Sequence, residues 1–248
     1  MSDPEAIPAA TLVVIRDSDA GPPELLVVER SARMAFAGGA IVFPGGRVDP
    51  GDERLAKALG QSGEAAKVTA IRETLEESAV AVGLGPLDPW RGPELQASLL
   101  DGEPFADLFQ REGLQIQLDA LTPFARWMPA FRQPRKFDTL FYVAAAPPGD
   151  WAPLPQPGEC TAAEWASAAD LLARFDAGRA AAIFPTKRNL ERLARFAAHS
   201  DAVADAGRFP LDTIIPWVEE RDGEKHVCIP ENRGYPRTSE PLATAFRA

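Results

Sequence analysis

Apolar residues change their period several times along the chain, and each change marks an element. Positions 11–16 and 24–30 are short runs rich in Val, Leu and Ile, separated by Asp-Ser-Asp-Ala-Gly-Pro-Pro, which predicts two strands joined as a hairpin. A third strand is expected over 40–43, stopped by Pro44-Gly45-Gly46, with a helical turn over 55–59 after a polar stretch. From 64 to 82 the period becomes helical: Ala65, Val68, Ile71, Leu75, Ala79 and Val82 recur at steps of three and four, and the polar face between them is acidic. A second helix over 94–112 is read through Pro104 from Leu95, Leu99, Phe105 and Leu108. Strands are expected over 121–128 and 136–146, the latter from Phe137, Leu140, Phe141, Tyr142 and Val143. A proline-rich loop over 147–157, helices over 168–179 and 186–199, and strand-like pieces over 213–218 and 226–230 complete the chain. This irregular alternation, without internal repeats, predicts an α+β fold or a layered α/β/α arrangement.

Composition narrows the class. With 248 residues and 46% hydrophobic content, the chain can bury a core suited to one elaborated domain or a domain with a small appendage. A formal net charge of −10 argues against a general nucleic-acid binder, and an anionic ligand would need a metal or a few local arginines. Cys160 and Cys228 are too few for a disulfide framework and lack zinc-site spacing, which fits a reducing compartment. Residues 1–10 lack a signal pattern, and no stretch reaches the roughly 20 apolar residues of a membrane span. The expectation is a soluble, cytoplasmic protein with neither a membrane nor a nucleic-acid polymer as partner.

Candidate chemistry lies in Arg72-Glu73-Thr74-Leu75-Glu76-Glu77, where three glutamates at i, i+3 and i+4 share one helix face. Unpaired, they repel and raise one another's pKa, so a cation or solvent must compensate. Mg²⁺ suits the role, since it prefers oxygen ligands and bridges carboxylates to phosphates. Read alone, the hexapeptide is equally a solvated acidic face with Arg72 as an incidental partner.

Phe43-Pro44-Gly45-Gly46 lies upstream and Glu64 precedes Arg72 by two helical turns, so the region resembles the Nudix box: a glycine, a spaced Glu, then Arg-Glu-x-x-Glu-Glu followed by small and apolar residues. The resemblance implies a Nudix hydrolase, an α/β/α sandwich with a mixed sheet and extra helices. It implies Glu73, Glu76 and Glu77 as ligands of Mg²⁺ or Mn²⁺, the Gly46 backbone at the metal, and Glu64 with Arg72 as a structural salt bridge. Glu159, six residues before Trp165, is similar to a downstream Glu-then-Trp element and would be a fourth catalytic carboxylate; an exposed loop glutamate is the equal alternative. Two departures stand out, a spacer from Gly46 to Glu64 longer than usual and Ala79 in place of the box's glycine. A loop insertion is cheap, and Ala suits a helix at least as well as Gly. On this reading 8–200 is the Nudix domain with an insertion in the box spacer, 201–248 is a C-terminal extension packed on it, and a homodimer is left open.

Leu25-Leu26-Val27-Val28-Glu29-Arg30-Ser31, then Gly39 and Phe43-Pro44-Gly45-Gly46, is similar to the signature that precedes the box in coenzyme A diphosphatases, with Ala35 where that signature has Arg. The long spacer, Arg135-Lys136-Phe137-Asp138-Thr139 and Phe184-Pro185-Thr186 also look like the peroxisomal branch and its bacterial relatives. The implied activity is metal-dependent hydrolysis of a diphosphate linkage in a nucleoside-diphosphate-containing small molecule, CoA or acyl-CoA, with Arg30, Arg33, Arg135 and Lys136 gripping phosphate. For Arg135 and Lys136 a charged strand end is the equal alternative. Trp127 and Trp165 read first as core and second as base-stacking residues, and His199 and His226 as structural or exposed. In the implied reaction a metal acidifies a water and a glutamate helps remove its proton. The rivals are an ADP-ribose or nucleotide-sugar diphosphatase, which shares the metal chemistry, and a Nudix-fold protein that binds nucleotides without turnover.

Overall fold

The computed structural model describes residues 6–34, 37–129 and 136–245. The two aliphatic runs at the start form β1 (Ile7–Arg16) and β2 (Glu24–Arg30), paired antiparallel through Ile15 with Leu25 and Arg16 with Glu24. Two short strands, β3 (Ile41–Val42) and β4 (Gly45–Arg47), follow, and β4 pairs with the N-terminal half of β1. Helices α1 (Pro50–Ala58) and α2 (Ala65–Ser78) come next, then a small hairpin of β5 (Leu84–Gly85) and β6 (Gln115–Ile116) enclosing α3 (Gly92–Leu100) and α4 (Phe105–Arg111). The central sheet is completed by β7 (Thr122–Trp127), β8 (Phe137–Ala145) and β9 (Cys160–Ser167). The remaining elements are α5 (Ala168–Asp176), α6 (Phe184–Leu193), α7 (His199–Ala206), β10 (Thr213–Ile214), β11 (Trp217–Arg221), β12 (Glu224–Cys228), β13 (Ser239–Pro241) and α8 (Leu242–Ala245).

The main sheet is mixed. Its order is β10-β7-β8-β1-β2-β3, with β4 on β1 and β9 on β2; β8 runs parallel to β1 and β10 parallel to β7, and the other pairs are antiparallel. Alternation along β1 sends its side chains to opposite faces. Leu12 and Val14 meet Val68, Ile71 and Leu75 of α2 and the apolar sides of α1, α3 and α4. Val13 and Ile15 meet Leu171, Leu190, Leu193 and Ala202 of α5, α6 and α7. The result is an α/β/α sandwich, as the sequence predicts. Residues beyond 200 share the second core: Ala202, Ile214, Val227, Ile229 and Tyr235 pack in the same cluster as Leu190. The buried Arg192 joins α6 to α7 through Asp205 (2.7 Å) and lies over the Phe124 ring (3.9 Å). Among the described residues no helix is long and apolar enough to cross a membrane, and both cysteines are buried and free.

Several boundaries differ from the sequence pattern for identifiable reasons. The helix expected over 64–82 ends at Ser78, because Ala79 adopts a left-handed conformation (φ 58, ψ 14) and caps it. Val80, Ala81 and Val82 continue the apolar run as a buried connection, so burial rather than helicity extends the pattern. Ala79 therefore does not sit in helical geometry, and it carries the roughly 1 kcal/mol that a Cβ costs in this region. The helix over 94–112 divides across 101–104: α3 ends at Leu100, and Pro104, extended and without an N–H to give, stands just before α4. The expected helical turn over 55–59 is a longer helix, and strand β9, whose Thr-Ala-Ala-Glu-Trp-Ala lacks a β-branched alternation, is defined by its long pairing with β2.

Where α3 begins, close approach demands glycine. A side chain at Gly92 would overlap the Ala79 carbonyl and press on Trp151. Gly92→Ala is expected to lower stability by about 1–3 kcal/mol, the usual cost of overpacking, seen as a lower urea midpoint at unchanged slope. An unchanged midpoint would contradict this packing.

Candidate metal and catalytic site

Helix α2 lies on the sheet through Val68, Ile71 and Leu75, which turns Glu73, Glu76 and Glu77 toward neighbouring chain rather than toward open solvent. Between them Arg72 is buried. Its Nε and Nη2 donate to the two carboxylate oxygens of Asp52 (2.9 Å each), and its Nη1 donates to Glu73 (2.9 Å) and Glu76 (3.1 Å). Burial opposes the charge on Arg72, but the Asp52 hydrogen bonds and the surrounding carboxylates outweigh it and hold the guanidinium above its ordinary pKa. Asp52 also accepts from Thr69 Oγ1 (2.8 Å) and the Asp49 N–H (3.0 Å), so its oxygens are well satisfied.

This arrangement corrects the expected Glu64–Arg72 salt bridge. Glu64 stands at the start of α2 and pairs with Lys67 (3.1 Å), while Asp52, from the first turn of α1, takes the guanidinium. Asp52 and Arg72 lie 20 residues apart in sequence, on different helices. The acidic face also departs from expectation in being largely buried. Glu77 has only 3% of its side chain exposed, with Oε2 accepting from the Gly45 N–H (3.0 Å) and Oε1 3.6 Å from Arg30 Nη1. Burial, then the negative charge of Glu73, pushes Glu77 up to about 8. Burial likewise pushes Glu73 up to about 7 against the pull of Arg72, and raises Glu76 in the same way.

The two glycines make room for these carboxylates. A side chain at Gly46 would occupy the position of the Glu73 carboxylate, and one at Gly45 would overlap the backbone of β1 at Ala10. Arg30, at the end of β2, approaches from the other side, and its Nε is buried without a hydrogen-bond partner among the described residues. Arg33 is exposed in the following turn, where its N–H donates to Ser31 Oγ (3.4 Å). Glu159 is exposed just before β9, its carbonyl accepts from the Ser31 N–H (2.7 Å), and its charge is felt at Glu77. Lys136 precedes β8 and accepts the Ile7 N–H through its carbonyl (2.7 Å). The β1–β8 and β1–β4 registers place it at the same sheet end as Gly46. Arg135 and Ala35 lie outside the described residues. Trp127 is core, its Nε1 donating to Tyr235 Oη (3.0 Å), and Trp165 donates to the Trp151 carbonyl (2.8 Å).

Among the described residues no three Asp, Glu, His or Cys side chains already stand in metal-ligand geometry; the Arg72 guanidinium stands between Glu73 and Glu76 instead. The donor set nevertheless fits a hard divalent cation. All its donors are oxygens, and the carboxylates of Glu73 and Glu76 already converge on one cationic nitrogen.

A family model described as "NUDIX domain" matches residues 6–186, a span that holds every strand of the main sheet but β10, including the glycine strand, and the carboxylate helix. This chain belongs to the NUDIX family. With that membership comes the enzyme class, a Nudix hydrolase of the diphosphate-hydrolase type. A NUDIX hydrolase from Alicyclobacillus acidocaldarius is 32% identical, with 81% of this chain and 96% of that one covered and a TM-score of 0.70. More distant structures include the NUDIX domain of Shewanella oneidensis NrtR complexed with ADP ribose (16% identity, 77% and 88% covered, TM-score 0.46). Another is a C. elegans Ap4A hydrolase binary complex (17% identity, 80% and 93% covered, TM-score 0.39). No curated protein matches at a significant level.

The two candidate partners of Arg72 make opposite predictions. Asp52→Asn removes a buried countercharge and is expected to cost about 3–5 kcal/mol, whereas Glu64→Gln, on a part-exposed pair, should stay within about 0.5 kcal/mol. Thermal or urea unfolding of the two variants decides between them, and the reverse order would restore Glu64 as the partner.

Proposed function

We propose that the chain hydrolyses the diphosphate linkage of CoA or an acyl-CoA, with Mg²⁺ or Mn²⁺ held by Glu73, Glu76 and Glu77 beside the Gly46 backbone. The observation that carries the metal reading is the convergence of two α2 carboxylates on a single nitrogen of Arg72, with the buried Glu77 beside them. Bound there, a divalent ion neutralises the diphosphate and acidifies the attacking water. The chain's own residues do the rest. Asp52 and Arg72 hold the glutamates in place, and Gly45 and Gly46 let the backbone come close. Arg30 stands 3.6 Å from Glu77, and its buried Nε, without a partner among the described residues, suits a phosphate oxygen. Glu159, open to solvent and near enough for its charge to act on Glu77, is the candidate for taking the proton from water, whose attack on phosphorus breaks the P–O–P bridge to give 3′,5′-ADP and a phosphopantetheine product.

The CoA reading rests on the segment around Arg30, Ser31, Gly39 and Phe43-Pro44-Gly45-Gly46, and on cations gathered at one end of the sheet. Arg30 ends β2, Arg33 follows it, and Lys136 precedes β8. A 3′-phosphate needs such local cations against the net charge of −10. Each charged hydrogen bond to it contributes about 1.5–3 kcal/mol, roughly tenfold to hundredfold in recognition.

Two experiments test the reading. Glu73→Gln, Glu76→Gln and Glu77→Gln should each lower kcat at limiting Mg²⁺ by roughly a hundredfold or more, about 2.7 kcal/mol of barrier. Glu159→Gln should lower it with circular dichroism unchanged. Near-normal turnover in the α2 variants would remove the metal assignment, and normal turnover in the last would remove Glu159 from catalysis. The second experiment compares kcat/KM for CoA, 3′-dephospho-CoA and ADP-ribose. CoA should lead by about tenfold or more, and a preference for ADP-ribose or indifference to the 3′-phosphate would overturn the CoA reading alone.

A further inference from the structure

The last turn of α2 carries Glu76 and Glu77, and the final carbonyls of a helix have no partner within it. Here each one is met. The Leu75 carbonyl accepts from the Ala79 N–H (2.9 Å), just past the turn in which Ser78 Oγ donates back to the Thr74 carbonyl (2.6 Å). The next three are met from far away in sequence: Glu76 by Gln96 Nε2 (2.8 Å), Glu77 by the Gln156 N–H (3.3 Å) and Ser78 by the Leu154 N–H (2.8 Å). The second hydrogen of the Gln96 amide goes to the Leu154 carbonyl (2.9 Å), so one side chain grips both the helix end and the loop that caps it.

Gln96 is 2% exposed and sits beside the core residues Leu95 and Leu99 of α3. A leucine would fill that space without a polar group to satisfy, so what the amide adds is its two donors. We propose that Gln96 is a positioning residue for the carboxylate face. It clips the proline-rich loop to the last turn of α2 and so sets Glu76 and Glu77 in register with one another and with Glu159, which ends the same loop. Sub-ångström displacement of ligating groups is enough to weaken a metal site, which is why supporting partners matter nearly as much as the ligands. The inference rests on the metal-dependent reading above.

The test uses the full chain and two variants. Gln96→Leu removes both donors at similar volume, and Gln156→Pro removes one loop N–H outside the core. Amide hydrogen exchange reads the clip directly: Pro153, Pro155 and Pro157 carry no amide hydrogen, so exchange over 153–157 reports only Leu154 and Gln156. Exchange at Leu154 should accelerate in both variants, Mn²⁺ affinity by calorimetry should fall about tenfold or more, and kcat should fall by a similar factor while KM changes less. Unchanged Mn²⁺ affinity in variants whose exchange has accelerated would reduce Gln96 to packing and overturn the proposal, as would unaltered exchange. Should Gln96→Leu fail to fold, Gln96→Met removes the same two donors at closer shape, and Gln156→Pro reports the loop's own bond to the Glu77 carbonyl. Should the wild-type chain hydrolyse none of the diphosphates, the hydrolase reading falls, while exchange and Mn²⁺ affinity still decide the clip.

Discussion

One buried guanidinium organises the candidate site. Arg72 answers three carboxylates at once, Asp52 behind it and Glu73 and Glu76 in front, and without that charge the acids would repel one another in surroundings that already disfavour ionisation. The geometry of the pair to Asp52 is fork to fork, which fixes the plane of the guanidinium and hence the direction in which Glu73 and Glu76 present their oxygens. A lysine could not do this from a single nitrogen.

The rest of the architecture serves that constellation. The aliphatic side chains of β1 divide between two cores, so the sheet is anchored on both faces, and α2 rests on one of them through an apolar row. Strand β4 adds to β1 at the point where Gly45 and Gly46 allow contact with Glu77 and Glu73, an approach that any side chain would prevent. The second core is held by charged groups as well as apolar ones. Arg192 reaches Asp205 and Arg188 reaches Glu240 (2.8 Å), tying the C-terminal elements to α6.

Much of this was legible in the chain. Apolar runs located β1, β2, β7 and β8 because each strand carries a buried stretch, such as Leu12–Ile15, Leu25–Val28 and Phe141–Ala144, and the steps of three and four located α2 because its buried side faces the sheet. The spacing of Glu73, Glu76 and Glu77 put them on one face, as found. What sequence periodicity could not reveal was which acid meets Arg72. Glu64 lies on the same helix and looked the nearer choice, yet a tertiary contact between α1 and α2 brings Asp52 in; the only local trace was an aspartate in the first turn after Asp49-Pro50. Nor could it show that the glycines of β4 lie against Glu77 and Glu73, since that depends on strand pairing. Ala79 misled for a related reason: helix propensity says nothing about a left-handed cap.

On the proposed function, the acids of α2, kept together by Arg72, bind a divalent cation. Electron paramagnetic resonance of free Mn²⁺ measures this without reference to any substrate. Metal binding by these acids predicts that the free signal falls when the wild-type chain is added and is restored in a folded Glu73→Gln, Glu76→Gln, Glu77→Gln triple variant. A wild-type chain that leaves the Mn²⁺ signal untouched, or a triple variant that depletes it equally, would contradict it.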